Sequence, residues 1–169
     1  MTHTDRVAHT IAAFESAMDR LLARLESVSE AEAARPPADG GWSVAGITWH
    51  VAVATEGLAS LVDGTRPLAR APEPDFVETP FSDITARVPD QLEAPEAFHP
   101  PADLTMADAR ERLKASRTRF VDAYRELPEP RGLWTVKSIL GLISVYQVGD
   151  WAVAHVIRHN AQAKRTLGR

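Results

Sequence analysis

Eight of the chain's twelve prolines, at positions 67, 72, 74, 80, 89, 95, 100 and 101, fall between residues 65 and 104. Proline has no amide hydrogen to give a helix or a sheet ladder, and its ring clashes with the preceding turn. No long helix or central strand can cross that stretch, which therefore reads as a long, semi-rigid connection, broken at most by a short helix near residues 82–86. Forty residues of connection are unusual in a compact domain and commonly form a lid or a binding segment.

The sequence on either side carries helical periodicity. Val7, Ile11, Phe14, Met18, Leu21, Leu25 and Val28 recur three and four apart with charged residues between them, an amphipathic first helix that stops before Arg35-Pro36-Pro37. Ser43 offers an N-cap for a second helix to about Val62, with Gly64 just beyond its end. Thr105 and Asp108 resemble a capping box for a third helix with apolar Met106, Leu113, Phe120, Tyr124 and Leu127, which Pro128 and Pro130 end. After a short extended stretch, Ser144 and Gln147 open a fourth helix reaching about Leu167. No convincing strand set emerges. The expected fold is all-α: a four-helix bundle with one long proline-rich crossover between helices 2 and 3, in a single domain over residues 1–169.

At 169 residues, 44% of them hydrophobic, the chain is long enough to bury a core without covalent staples. The absence of cysteine excludes disulfides, thiolate ligands and a cysteine nucleophile, so any metal must be held by nitrogen and oxygen. A net charge of −4 gives no cationic field for nucleic acid, and the group Arg158, Lys164, Arg165 and Arg169 complements a helix C-terminus. The most apolar stretch, 139–157, contains Asp150 and His155, which argues against a membrane span. The N-terminus lacks the pattern of a secretory signal, so a cytoplasmic location is expected.

Chemistry-bearing residues concentrate on the second and fourth helices. His155 and His159, four apart, project from one helical face about 6 Å apart along the axis. That face also carries Val148, Trp151, Ala152, Gln162 and Ala163, so both imidazoles point inward. His50 shares the apolar face of helix 2 with Ile47, Ala54, Gly57 and Leu61, where the small Ala54 and Gly57 would admit a close neighbour. Three inward imidazoles are costly unless each ring nitrogen finds a partner. A dication would satisfy three at once and keep a coordination position open, and a hydrogen-bonded histidine cluster is the other reading.

The segments Gly41-Trp42-Ser43-Val-Ala-Gly-Ile47-Thr-Trp-His50, Gly141-Leu-Ile-Ser144 and His155-x-x-x-His159-x-x-Gln162, with the Pro37 to Ser43 approach to helix 2, resemble the DinB-like (YfiT-like) superfamily of metal-binding four-helix proteins. The resemblance covers nearly the whole chain. It implies a divalent metal, nickel or zinc first and iron, manganese or copper as other candidates, held by His50, His155 and His159, and frequently a homodimer. Members with assigned activities use the metal to activate a low-molecular-weight thiol for S-transfer or thiol-dependent isomerisation. The resemblance thus implies a metalloenzyme of S-transferase, thiol-dependent isomerase or hydrolase type with a small-molecule substrate, activating a thiol co-substrate or water. The alternative is a non-enzymatic, metal-stabilised small-molecule-binding or stress-response bundle.

Around this trio, Trp151 could wall a pocket, Gln162 is the polar candidate nearest the histidines, and His99 is a loop residue that could reach the metal from the lid. Glu56 and Asp150 lie off the histidine faces and read as surface groups. His9 falls off the first helix's apolar seam and His3 lies in a frayed terminus, so both read as solvated. No phosphate-binding glycine loop, His-Glu-x-x-His motif or Gly-x-Ser-x-Gly elbow is present, which disfavours nucleotide-driven enzymes, typical zinc proteases and serine hydrolases.

Overall fold

The computed structural model describes residues 1–38, 40–87 and 94–168. Asp39, the part of the connection around Pro89, and Arg169 lie outside the described residues. The first long helix, α1 (His3–Glu26), begins earlier than its apolar stripe because Thr2 and Asp5 form a capping box that satisfies the exposed amides of its first turn. Phe14, Met18, Leu21 and Leu25 are buried along one side. A short α2 (Glu30–Ala34) follows on a second capping box, Ser29 with Glu32. Its Glu30 carboxylate accepts from the backbone amides of Met106 and Ala107, and so caps from outside the long helix that begins at Met106.

Ser43 caps α3 (Val44–Asp63), which ends at Gly64 in the left-handed conformation, φ 83°. Beyond it, the described residues of the proline-rich connection carry α4 (Phe81–Arg87) and a 3-10 turn at Glu96–Phe98. Thr105 then caps α5 (Met106–Arg125), and α6 (Glu129–Gly132) leads into an antiparallel hairpin, β1 (Thr135–Ser138) with β2 (Gly141–Ser144). The Ser144 and Gln147 capping box starts α7 (Val145–Thr166) directly from the hairpin.

The chain is predominantly helical, as its periodicity predicts, with two departures. Residues 135–144 form a hairpin with Val136 opposite Ile143, both buried, rather than a mere extended stretch. The connection is also more structured than its prolines suggest. Arg70 exchanges two backbone hydrogen bonds with Thr135, at 2.9 and 2.7 Å, adding a bridge to the outer edge of β1. Farther along, Glu78 accepts a two-pronged ion pair from Arg6 of α1, at 2.7 and 2.8 Å, and a hydrogen bond from the Ser144 hydroxyl. The Gln147 amide donates to the Thr79 carbonyl. Three separate parts of the chain are thus tied at the start of α7.

The four long helices share one core: α3 packs on α5 and α7, and α1 on α7 and α5. Close approach is set by Gly149 rather than by Gly57. A Cβ on Gly149 would lie 2.3 Å from the Thr10 methyl and 2.5 Å from the Tyr124 hydroxyl, whereas one on Gly57 would meet nothing within 4 Å. The α3–α7 contact brings the second turn of α3 opposite the middle of α7, where the histidines lie.

Candidate metal centre

His50 comes from α3, and His155 and His159 come from successive turns of α7. Helical spacing orients each ring, and packing of α3 on α7 brings the three together. Nε2 of His50 lies 3.1 Å from Nε2 of His155. The ring centroids are 4.8 Å apart for His50 and His159 and 4.3 Å apart for His155 and His159. One nitrogen from each ring falls within 4.8 Å of the others. His50 and His159 are buried, and His155 is partly accessible.

The proton assignment follows from Gln162. Its Oε1, which can only accept, lies 2.7 Å from Nδ1 of His159, so Nδ1 carries the hydrogen and Nε2 is left with its lone pair. That buried Nε2 has no hydrogen-bond partner among the described residues. A buried lone pair without a donor is costly, and a cation beside it would remove the cost. Tetrahedral coordination at ordinary metal–imidazole lengths separates ligand nitrogens by about 3.3 Å, close to the His50–His155 spacing. The donor set therefore fits a borderline divalent ion.

Electrostatics keep all three rings in the form that can ligate. Burial pushes the His50 pKa down to about 4, with the backbone of Phe98 opposing the shift and the neighbouring Arg158 and His99 adding to it. His159 is lowered to about 3, first by burial and then by His50, against the opposing hydrogen bond to Gln162. His155 is held well below its ordinary value by burial and then by its two histidine neighbours. Neutral imidazoles have no proton to lose before they accept a metal.

Aromatic side chains wall the site on the side of His50. Trp42 lies 4.8 Å from His50 and Phe98 lies 6.0 Å away, ring centre to ring centre. Gly46 makes this possible, since a Cβ there would crowd Trp42 at 3.2 Å and Pro100 at 3.3 Å. His99 stands outside the three-nitrogen group: it is exposed, edge-on to Trp42 at 5.9 Å, with Nε2 2.8 Å from the Ala94 carbonyl oxygen. Trp151, one turn before His155, is partly buried against the core.

Glu56 is spent on a two-pronged ion pair with Arg112, at 3.0 and 2.7 Å, in keeping with a surface role. His3 departs from its expected place in a frayed end, because it opens α1 and its Nδ1 lies 2.6 Å from the Tyr146 hydroxyl. His9 is exposed. Sequence reading did not single out Phe98 or the influence of Arg158 on all three rings. Arg158 adjoins His159 and follows His155 by three, so its position relative to the histidines was legible, whereas nothing local marked Phe98.

A helical protein with three histidine nitrogens gathered between two of its long helices is a candidate binder of divalent cations. The sequence model of the DinB superfamily matches residues 13–163, a span that includes all three histidines, and the chain belongs to that superfamily. No curated protein and no solved structure matches it.

Proposed function

We propose that the four long helices constitute a metal-binding bundle, with His50, His155 and His159 holding one divalent cation, nickel or zinc, through their Nε2 atoms. On this reading the protein is an enzyme acting with a low-molecular-weight thiol or with water, of S-transferase, thiol-dependent isomerase or hydrolase type. The observation that carries the reading is the buried, unpartnered Nε2 of His159 beside the close His50–His155 nitrogen pair. Membership of the DinB superfamily supports it.

An ion held by three neutral imidazoles keeps its double charge uncompensated and would supply a Lewis-acidic centre at which water or a thiol loses its proton near neutral pH. The chain's own residues do the rest. Gln162 holds His159 in the tautomer that presents Nε2, and so fixes ring orientation before any ligand arrives. Trp42 and Phe98 stand against the His50 ring and would wall that side of a bound ion. Among the described residues no carboxylate belongs to the three-histidine group, so none of them would offset the ion's charge there.

The test is turnover of a panel of low-molecular-weight thiols and electrophiles by protein loaded with nickel or zinc. Thiol consumption above the buffer rate is expected, falling by roughly two orders of magnitude or more in His50→Ala. Tight binding of one metal without turnover of any thiol or hydrolysable ester would contradict the enzymatic reading. It would favour an ion that only clamps α3 to α7.

A further inference from the structure

Two nitrogens of the histidine cluster are buried and close no hydrogen bond among the described residues: Nε2 of His159 and Nδ1 of His50. A cation between the rings accounts for the first. It does not account for the second, because Nε2 of His50 is the atom turned toward His155. A neutral ring that ligates through Nε2 carries its hydrogen on Nδ1, and a buried N–H without an acceptor is costly. Gln162 meets that need for His159, and among the described residues no side chain does the same for His50.

The backbone packed over His50 offers an acceptor. Residues 94–101 pass over the first two turns of α3: the 3-10 turn Glu96–Phe98 packs on that helix, the Phe98 ring lies 6.0 Å from that of His50, and Pro100 stands against Gly46. Nε2 of His99 donates to the Ala94 carbonyl at 2.8 Å and so staples the turn. The Phe98 amide donates to the Pro95 carbonyl, also at 2.8 Å. Its carbonyl lacks a matching local outlet, since Pro100 and Pro101, two and three residues on, have no amide hydrogen. The same backbone opposes the effect of burial on His50, which an acceptor does and a donor does not.

We propose that residues 94–101 form a metal-coupled strap: when a cation takes Nε2 of His50, the hydrogen on Nδ1 closes onto the Phe98 carbonyl and the strap tightens over α3. The inference rests on the three-histidine metal reading and extends it to a segment that holds none of the ligands. Coupling of this kind is reciprocal, so a strap lifted from α3 weakens the metal by the factor with which the metal steadies the strap. Gly46, one turn before His50, sets how closely the strap can sit. A methyl there meets Trp42 at 3.2 Å and Pro100 at 3.3 Å, so the strap must give way, while alanine itself favours the helix.

Hydrogen exchange of the full-length protein with and without zinc, combined with nitrogen-15 spectra of its imidazoles, tests this. Zinc should slow exchange of the amides at 96–99 by roughly tenfold or more, leave the β1–β2 hairpin unchanged, and give a slowly exchanging Nδ1–H signal from His50. Gly46→Ala should bind zinc roughly tenfold more weakly and lose that signal. Phe98→Ala, which leaves α3 untouched, should do the same. A parent that binds zinc with exchange at 96–99 unchanged, a zinc-bound His50 that carries its hydrogen on Nε2, or parental zinc affinity in both variants would each overturn the strap. Failure of the parent to bind zinc would instead overturn the three-histidine reading, and the strap with it.

Discussion

At the scale of single residues, the arrangement turns on which ring nitrogen carries a proton. Gln162 decides this for His159 through one hydrogen bond of 2.7 Å, leaving a lone pair that no protein donor meets among the described residues. Gln162→Ala should therefore lower metal affinity by about 10- to 100-fold, the usual cost of removing an outer-shell partner. Competition against a chelator of known affinity measures it, and an unchanged affinity would remove Gln162 from the account. The histidine faces were legible because a three-and-four spacing defines a face whatever lies opposite. What covers that face was not, since Phe98 comes from a proline-rich stretch without period, and Trp42 from just outside α3.

Burial at these residues also makes a statement about acid. With native pKa values of about 4 and about 3, His50 and His159 resist protons that an unfolded chain accepts near 6.5. Above that pH both states are neutral and the shift contributes nothing. As pH falls from 6.5 through about 4 and about 3, the unfolded state gains protons the native state refuses, and the metal-free protein loses stability. Thermal melts of metal-free protein between neutrality and pH ~4 should show this decline, with a shallower slope in His159→Gln. Parallel curves would show that His159 is protonated at its ordinary pH in the native state.

Elements are held by devices of two ranges. The capping boxes at Thr2, Ser29 and Ser144 lie within four residues of sequence and satisfy local amides. Of these boxes the Ser144 one was legible in the sequence, as were the Ser43 and Thr105 caps and the Gly64 stop, because each is a local signal. Ser144 does more than cap, since its hydroxyl also donates to Glu78, 66 residues distant. Ser144→Ala should cost about 1–2 kcal/mol, the upper part of the range for a lost cap. A denaturant midpoint unchanged from the parent would show that neither contact matters. Gly149→Ala drives a methyl into Thr10 and Tyr124, and overpacking of that kind costs about 1–3 kcal/mol. The hairpin escaped sequence reading because four-residue strands hold too few alternations to outweigh chance, and both Thr135 and Val136 are buried in succession.

For the molecule as a whole, the long connection joins the core through contacts that no local pattern announces. Arg6 and Glu78 are 72 residues apart, and Gln147 reaches the Thr79 carbonyl across 68. Prolines told where a helix could not run, and said nothing of where the segment would be tied. Its C-terminal end returns over the first turn of α3, with Pro100 against Gly46 and Phe98 near His50, so the crossover and the site share a wall. No helix among the described residues is long and apolar enough to cross a membrane. The central claim remains that two helices converge to bind one ion through three imidazoles. Titration of metal-free protein with cobalt(II), followed by visible absorption, tests it most directly. Intense d–d bands saturating at one cobalt per chain, abolished in His155→Ala and retained in His99→Ala, are predicted for a low-coordinate nitrogen-rich site. Weak octahedral bands, or a spectrum that His155→Ala leaves intact, would contradict it.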